Sequence, residues 1–381
     1  MDPEQQAPVS ESAPLTSQLD IPAWPETQPG PLHDPEYRGL RWIFVGPHGL
    51  RSGWSVLLFT FLFILITGFV GSVFSKAHLV DRKMGFTPTG ALFGEVVPFL
   101  GLLGAATIVA LIERRRIFDF NLTGPRRFRR FIEGLIAGFV ALAALVGALA
   151  SGSWLQFGPA ALSGAAIFKF GALWACAFFL VGCVEEGMFR CYLQFTLTRG
   201  INFWWALGAE ALLCLALFFI DKGNGVWGVY TVALAGLLPC WLLHQATASS
   251  SAFWQAAWVG STLFGAVHTG NPGESWIGIF AAAFIGFVFC ASIWVTGSAW
   301  WAIGCHAAWD WAETFFFGTA DSGNVATGHF LTTSPSGAVL WSGGAVGPEG
   351  SLLVLPIILL LLAALLVIYR REKSYTLTVA A

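Results

Sequence analysis

Apolar runs of helix length, separated by short polar connections, dominate the chain. They cover 54–74, 91–112, 131 to about 151, 168 to beyond 190, 203–220, 226–243, 252–268, 276–295, 298–318 and 352–369. Crossing the hydrocarbon of a bilayer as a helix takes about 20 apolar residues. None of the runs alternates apolar with polar residues at period two, so a barrel of membrane strands is excluded. The pattern predicts an all-α, polytopic transmembrane bundle of about ten helices. It shows no repeat at a fixed period and no inverted duplication of the transporter kind.

Composition agrees with a lipid-facing outside. Hydrophobic residues make up 56% of the chain and charged residues 11%, whereas a soluble domain carries roughly 25% charged residues. The net charge of -2 gives no sign of a nucleic-acid partner. Membrane lipids are the partners implied. The seven cysteines lie between Cys176 and Cys305 without a CxxC pair, which argues against a disulfide framework or a zinc ribbon. Residues 1–37 are polar, rich in Pro, Gln and Ser, and lack the apolar stretch of a signal peptide.

The basic residues set an expected orientation. Arg114, Arg115, Arg116, Arg126, Arg127, Arg129 and Arg130 follow the second run and place that connection in the cytoplasm. Arg38, Arg41 and Arg51 precede the first run, and Arg370, Arg371 and Lys373 follow the last. Both termini are then cytoplasmic, as an even number of crossings of the cell (inner) membrane requires. Lys76, Arg82 and Lys83, in the first outer loop, vote the other way. The division expected is a disordered polar cytoplasmic tail at 1–50, N-terminal membrane helices with the Arg-rich loop at 51–160, a core at 161–320 that includes added helices at about 203–250, and an outer loop with the final helix at 321–381. The Gly-, Ser- and Thr-rich connection 319–350 is long enough to cap the bundle.

Ionisable groups inside membrane helices are costly and mark function. Glu185 and Glu186 follow an apolar run, and neighbours on a helix point about 100° apart. Arg190, four residues after Glu186, shares its face and can pair with it. Glu185 is left free for chemistry. His268 ends another apolar run. His306 and Asp310, at i and i+4, share a face, so the carboxylate can fix the imidazole tautomer, and Glu313 continues near that face. Glu95, Lys169, Glu210 and His244 each stand alone and read as packing or pore-lining groups. Taken singly, each motif has an ordinary structural account. Together, a carboxylate and two imidazoles on three helices suit the activation of water. The carboxylate takes a proton, and the imidazoles orient the water, bind a metal or stabilise the oxyanion. Glu185, His268 and His306 are also an admissible zinc ligand set. HExxH and GxSxG are absent, which excludes the ordinary zincin helix and the serine nucleophile elbow.

At these residues the chain resembles the CAAX-protease/bacteriocin-processing (CPBP, or Abi) family of membrane proteases. That family carries EExxxR, FxxxH and HxxxN or HxxxD in this order. Here they read Glu185-Glu186-x-x-x-Arg190, Phe264-x-x-x-His268 and His306-x-x-x-Asp310, with Thr296-Gly297-Ser298-Ala299-Trp300 just before the last. The resemblance covers roughly 168–318. It implies an intramembrane endopeptidase acting on a membrane-associated peptide or protein, by CAAX-type trimming or peptide maturation. Glu185 would be the general base, and Glu186 and Arg190 its structural support. His268 would hold the water, and His306 with Asp310 would stabilise the tetrahedral intermediate. The alternative is a non-proteolytic membrane scaffold or immunity factor of the same fold. The chain departs from the family in two places. Asp310 stands where the well-studied CAAX proteases carry Asn, and residues 203–250 add helices between the first two motifs. Bringing Glu185 to the depth of His268 requires either that the fourth helix continue to about Arg199 or that a segment within 203–268 be re-entrant.

Overall fold

The computed structural model describes residues 41–46, 49–80, 85–220, 225–247 and 250–369. The polar tail before residue 41, Arg82 and Lys83, and the basic residues from Arg370 onward lie outside the described residues. Residues 41–50, assigned above to the tail, hold a short helix, Arg41–Phe44, and a two-stranded turn pairing Val45–Gly46 with Gly49–Leu50.

Each of the ten apolar runs carries a helix. In chain order these are α1 (Ser52–Lys76), α2 (Pro88–Ile112), α3 (Arg127–Ser151), α4 (Ala165–Thr198), α5 (Phe203–Phe218), α6 (Gly225–Thr247), α7 (Ser251–Val267), α8 (Trp276–Thr296), α9 (Trp300–Asp310) and α10 (Val354–Tyr369). Five of them, α1, α2, α3, α4 and α8, are long and apolar enough to cross a bilayer as single helices. The protein is therefore an all-α membrane bundle. Large apolar side chains remain on its outside, among them Leu57, Phe61, Ile64 and Phe69 on α1 and Trp204, Trp205 and Leu212 on α5. A patch of this kind is stable against lipid and unstable against water.

Local chemistry sets the helix ends. Thr87 accepts a hydrogen bond from the Gly90 backbone N–H at the start of α2, with Pro88 in the first turn. Ser275 caps α8 in the same way through Gly278. Gly297 ends α8 at φ 79°, a left-handed backbone that glycine adopts without a steric cost. That turn sends the chain directly into α9.

Small residues decide how α9 is held. A Cβ on Gly134 or Gly138 of α3 would collide with the carbonyls of Trp301 and Cys305, and one on Gly304 would strike the carbonyl of Phe131. Backbones this close are the small-residue packing that membrane helices use in place of a hydrophobic driving force. It locks the His306 helix against α3.

Two stretches of π-helix interrupt the regular winding. One, Gly187–Leu193, lies inside α4 directly after Glu186. The other, Trp311–Phe317, extends α9 directly after Asp310. Such widened turns are rare and gather at functional positions. Helix α4 runs on to Thr198, about 20 Å beyond Glu185 at 1.5 Å per residue. Glu185 therefore lies well inside the helix and not at its end.

The connection 319–350 folds back over the bundle. Its strand Thr333–Pro335 pairs antiparallel with Leu155–Phe157 in the α3–α4 link, in the register Leu155↔Pro335. Trp341 stacks on Trp154 with ring centroids 5.3 Å apart. Gly323 donates its N–H to the Val346 carbonyl, and Thr319 donates to Glu313. These bonds hold the two ends of the connection beside the last turns of α9.

Candidate active site

A cavity of about 450 Å³ opens among α2, α4, α7, α8, α9 and the 319–350 connection. Glu185, His268, His306 and Asp310 all line it. Its wall carries carboxylates from Glu95, Glu185, Glu274, Asp310, Asp321 and Glu349, and no Lys or Arg among the described residues.

On α4 the two adjacent glutamates separate as a helix requires. Glu186 is fully buried, and its Oε2 pairs with Nε of Arg190 at 3.2 Å. Arg190 is equally buried and lies 4.1 Å over the Phe264 ring. Gly286 of α8 leaves room for the guanidinium, which a Cβ there would strike. Its Nε also faces the Gly286 carbonyl at 3.4 Å, and Asn121 holds the Arg190 backbone carbonyl at 2.8 Å. Glu185 turns the other way, into the cavity, with its side chain 32% exposed. Its Oε2 receives no hydrogen bond.

His306 joins α9 to this pair. Its Nδ1 lies 2.7 Å from Glu186 Oε1, a contact that an Nδ1–H donor satisfies. That leaves Nε2 facing the cavity, 3.7 Å from Glu185 Oε2 and 3.5 Å from Asp310 Oδ2. Both gaps are too long for a good direct hydrogen bond, and a water set beside them in the cavity can reach both groups. The sequence reading gave Asp310 the task of fixing the tautomer. The shorter contact comes from Glu186, 120 residues away, a pairing that no i, i+4 rule reaches.

His268 stands at the C-terminal end of α7, where its Nδ1 donates to the Phe264 carbonyl at 2.7 Å. That bond leaves Nε2 as the free nitrogen. Phe264 packs edge-on against both imidazoles, with centroids 4.6 Å from His268 and 6.3 Å from His306. Phe289 stacks on His306 from α8.

The zinc set considered above, Glu185, His268 and His306, is not drawn together as ligands. Among the described residues, the three groups whose ligand atoms all approach within 4.8 Å of one another are Glu313, Asp321 and Glu349. Of these, only Glu313 was singled out in the sequence. It is fully buried, and its Oε2 accepts from Trp309 at 3.2 Å. Asp321 accepts from Thr314 at 2.6 Å, and Glu349 accepts from Trp309 at 2.9 Å and Ser322 at 3.1 Å. Burial pushes the Asp321 carboxyl up to about 6, with the Thr314 hydroxyl opposing. Burial first and the Asp321 charge second push Glu349 up to about 8. Asp321, Glu349 and Glu274 were missed because each is a lone acid in a connection. The one available signal was that Asp321 and Glu349 are the two acids in a stretch rich in Gly, Ser and Thr.

Residues 241–312 match the family model described as Type II CAAX prenyl endopeptidase Rce1-like. The match supports the CAAX-protease family for this chain. The matched stretch holds His268, His306 and Asp310, and Glu185 and Glu186 of α4 lie before it. No curated protein and no solved structure matches the chain at a significant level.

Proposed function

We propose that this CAAX-protease family member is an intramembrane endopeptidase in which Glu185 activates water. The observation that carries the reading is the asymmetry of the α4 pair. Glu186 is spent on Arg190 and His306, while the Glu185 carboxylate faces the cavity with an oxygen free of donors. A water between Glu185 Oε2 and His306 Nε2 has an acceptor for its proton on one side and a ring nitrogen on the other. Glu185 takes the proton as hydroxide attacks the scissile carbonyl and later returns it to the leaving amine. His268 holds the water or the carbonyl oxygen through its free nitrogen. His306 stabilises the tetrahedral oxyanion when protonated, and Asp310 balances that charge. Glu186 and Arg190 fix the imidazole and touch no substrate.

The catalytic group in this reading is a glutamate, and no step passes through a metal. Substrates are membrane-associated peptides or proteins cut at an internal bond. Among the described residues the wall offers no Lys or Arg to a terminal carboxylate, so prenylated CAAX chains are the family's example and one arm of the test. In this reading about ten helices cross the cell (inner) membrane, and both termini are cytoplasmic.

The test uses the full chain in liposomes with two kinds of reporter, a farnesylated CAAX peptide and an unprenylated membrane-anchored peptide. Wild type should cleave at least one, and Glu185→Gln neither. Equal cleavage by both proteins, or none by wild type, overturns the reading and favours the scaffold alternative.

A further inference from the structure

Glu313, Asp321 and Glu349 come from the π-helical turn after α9 and from both ends of the 319–350 connection. One oxygen of each lies within 4.8 Å of an oxygen of the other two. Two ligand oxygens on opposite sides of a calcium ion stand about 4.8 Å apart, twice a typical Ca–O distance of about 2.4 Å. Three oxygens within that span of one another can close on one ion by small side-chain adjustments.

A cluster of acids alone is not a site, and Glu313 supplies the second observation. Its side chain is 0% exposed, and its carboxylate points into the cluster. Its Oε1 has no hydrogen-bond donor. Every donor to the three carboxylates is neutral: the Trp309 indole, shared between Glu313 and Glu349, and the Thr314 and Ser322 hydroxyls. No Lys, Arg or His lies within ion-pair distance of them among the described residues. An uncompensated buried carboxylate is expensive, and three together repel one another. The missing partner is a cation.

We propose that Glu313, Asp321 and Glu349 bind one divalent cation of the calcium type, which fastens the 319–350 connection to the end of the His306 helix. The ligand chemistry selects the ion. All three donors are carboxylate oxygens, which suit hard cations, and no imidazole or thiolate is present to favour zinc or copper. Two of the three sit on a loop, whose adjustable geometry suits calcium over the stricter octahedron of magnesium. Asp310 lies one turn from Glu313, so the ion also sets the field behind the catalytic imidazole.

The experiment uses the full chain in nanodiscs with calcium as the probe. Radioactive calcium is measured by equilibrium dialysis, and the apparent melting temperature is recorded in calcium and in EGTA. Wild type should bind about one ion per chain and melt higher in calcium. Losing one carboxylate should weaken binding by about tenfold or more, so Asp321→Asn and Glu349→Gln should lose most of both signals. Glu185→Gln should keep them. Should Asp321→Asn fail to accumulate, Glu349→Gln carries the test alone. No calcium binding by wild type overturns the proposal, as does undiminished binding by Glu349→Gln. Binding lost in Glu185→Gln would put the ion in the catalytic chamber and overturn it as well. None of these readouts depends on proteolysis.

Discussion

Two sets of carboxylates lie at one cavity, with Glu186 and Glu313 buried behind its wall, under opposite conditions. Glu185, Glu186 and Asp310 face His306, and Glu186 also holds Arg190. Glu313, Asp321 and Glu349 face an indole and two hydroxyls. In the first set Arg190 and His306 face the carboxylates, and Glu185, the base proposed above, keeps an oxygen without a donor. In the second set no cationic side chain lies within ion-pair distance among the described residues, and we read the group as holding protons or an ion. Proximity of acids therefore does not define a function. The partners each acid already has decide what chemistry is left.

Changing the free member of the first set should give the largest effect. Glu185→Gln keeps the shape and removes the base, so turnover should fall by about a hundred- to ten-thousand-fold with little change in melting temperature. A loss of fold comparable to the loss of activity would show that Glu185 is structural. Next comes Arg190→Met, which keeps the volume and strips Glu186 of its charged partner. Both side chains are buried, so the cost should be about 3–5 kcal/mol, read as a fall in the denaturant midpoint. Arg190→Lys should not rescue it, because the flat guanidinium over Phe264 is part of the contact.

The sequence shows the first set more clearly than the second for a physical reason. Glu186 with Arg190, and His306 with Asp310, lie four residues apart on one helix, and helical periodicity alone brings each pair together. Ten apolar runs likewise suffice to find ten helices, although the number of crossings needs more than length. Periodicity says nothing about contacts between helices. The 2.7 Å bond from His306 to Glu186 depends on α9 sinking into α3 at Gly134 and Gly138, and the π-helical turns appear only in the backbone. Asp321 and Glu349 are placed by loop hydrogen bonds such as Gly323 to Val346, which leave no period to read.

The second set supplies a pH test. Asp321 and Glu349 sit above their ordinary values of 3.8 and 4.5, at about 6 and about 8. The folded protein then holds protons that the unfolded chain has released. Their stabilising contribution is fully present below the unfolded values, and it is lost as pH rises through about 8. In EGTA, the apparent melting temperature should fall between roughly pH 4.5 and 8, and Glu349→Gln should flatten that fall. An unchanged slope in the variant would mean that the carboxylate already has a partner.

The smallest effect comes from a carboxylate that is well supplied. Glu133 takes Arg129 at 2.7 Å, Arg130 at 2.8 Å and the Tyr369 hydroxyl at 2.7 Å. The two arginine distances are almost equal, but Arg129 is 61% exposed and Arg130 only 1%. Water competes for the first pair and salt screens it, so Arg129→Ala should cost less than about 1 kcal/mol, and less still at high salt. Arg130 also lies 4.6 Å over the Tyr369 ring, so Arg130→Met gives up packing and a buried charge partner together and should cost several times more. Equal losses from the two variants would mean that distance, and not burial, ranks the ion pairs of this protein. The contrast between the two acid sets would then lose its basis, because it assumes that a partner counts by how far it is withdrawn from water.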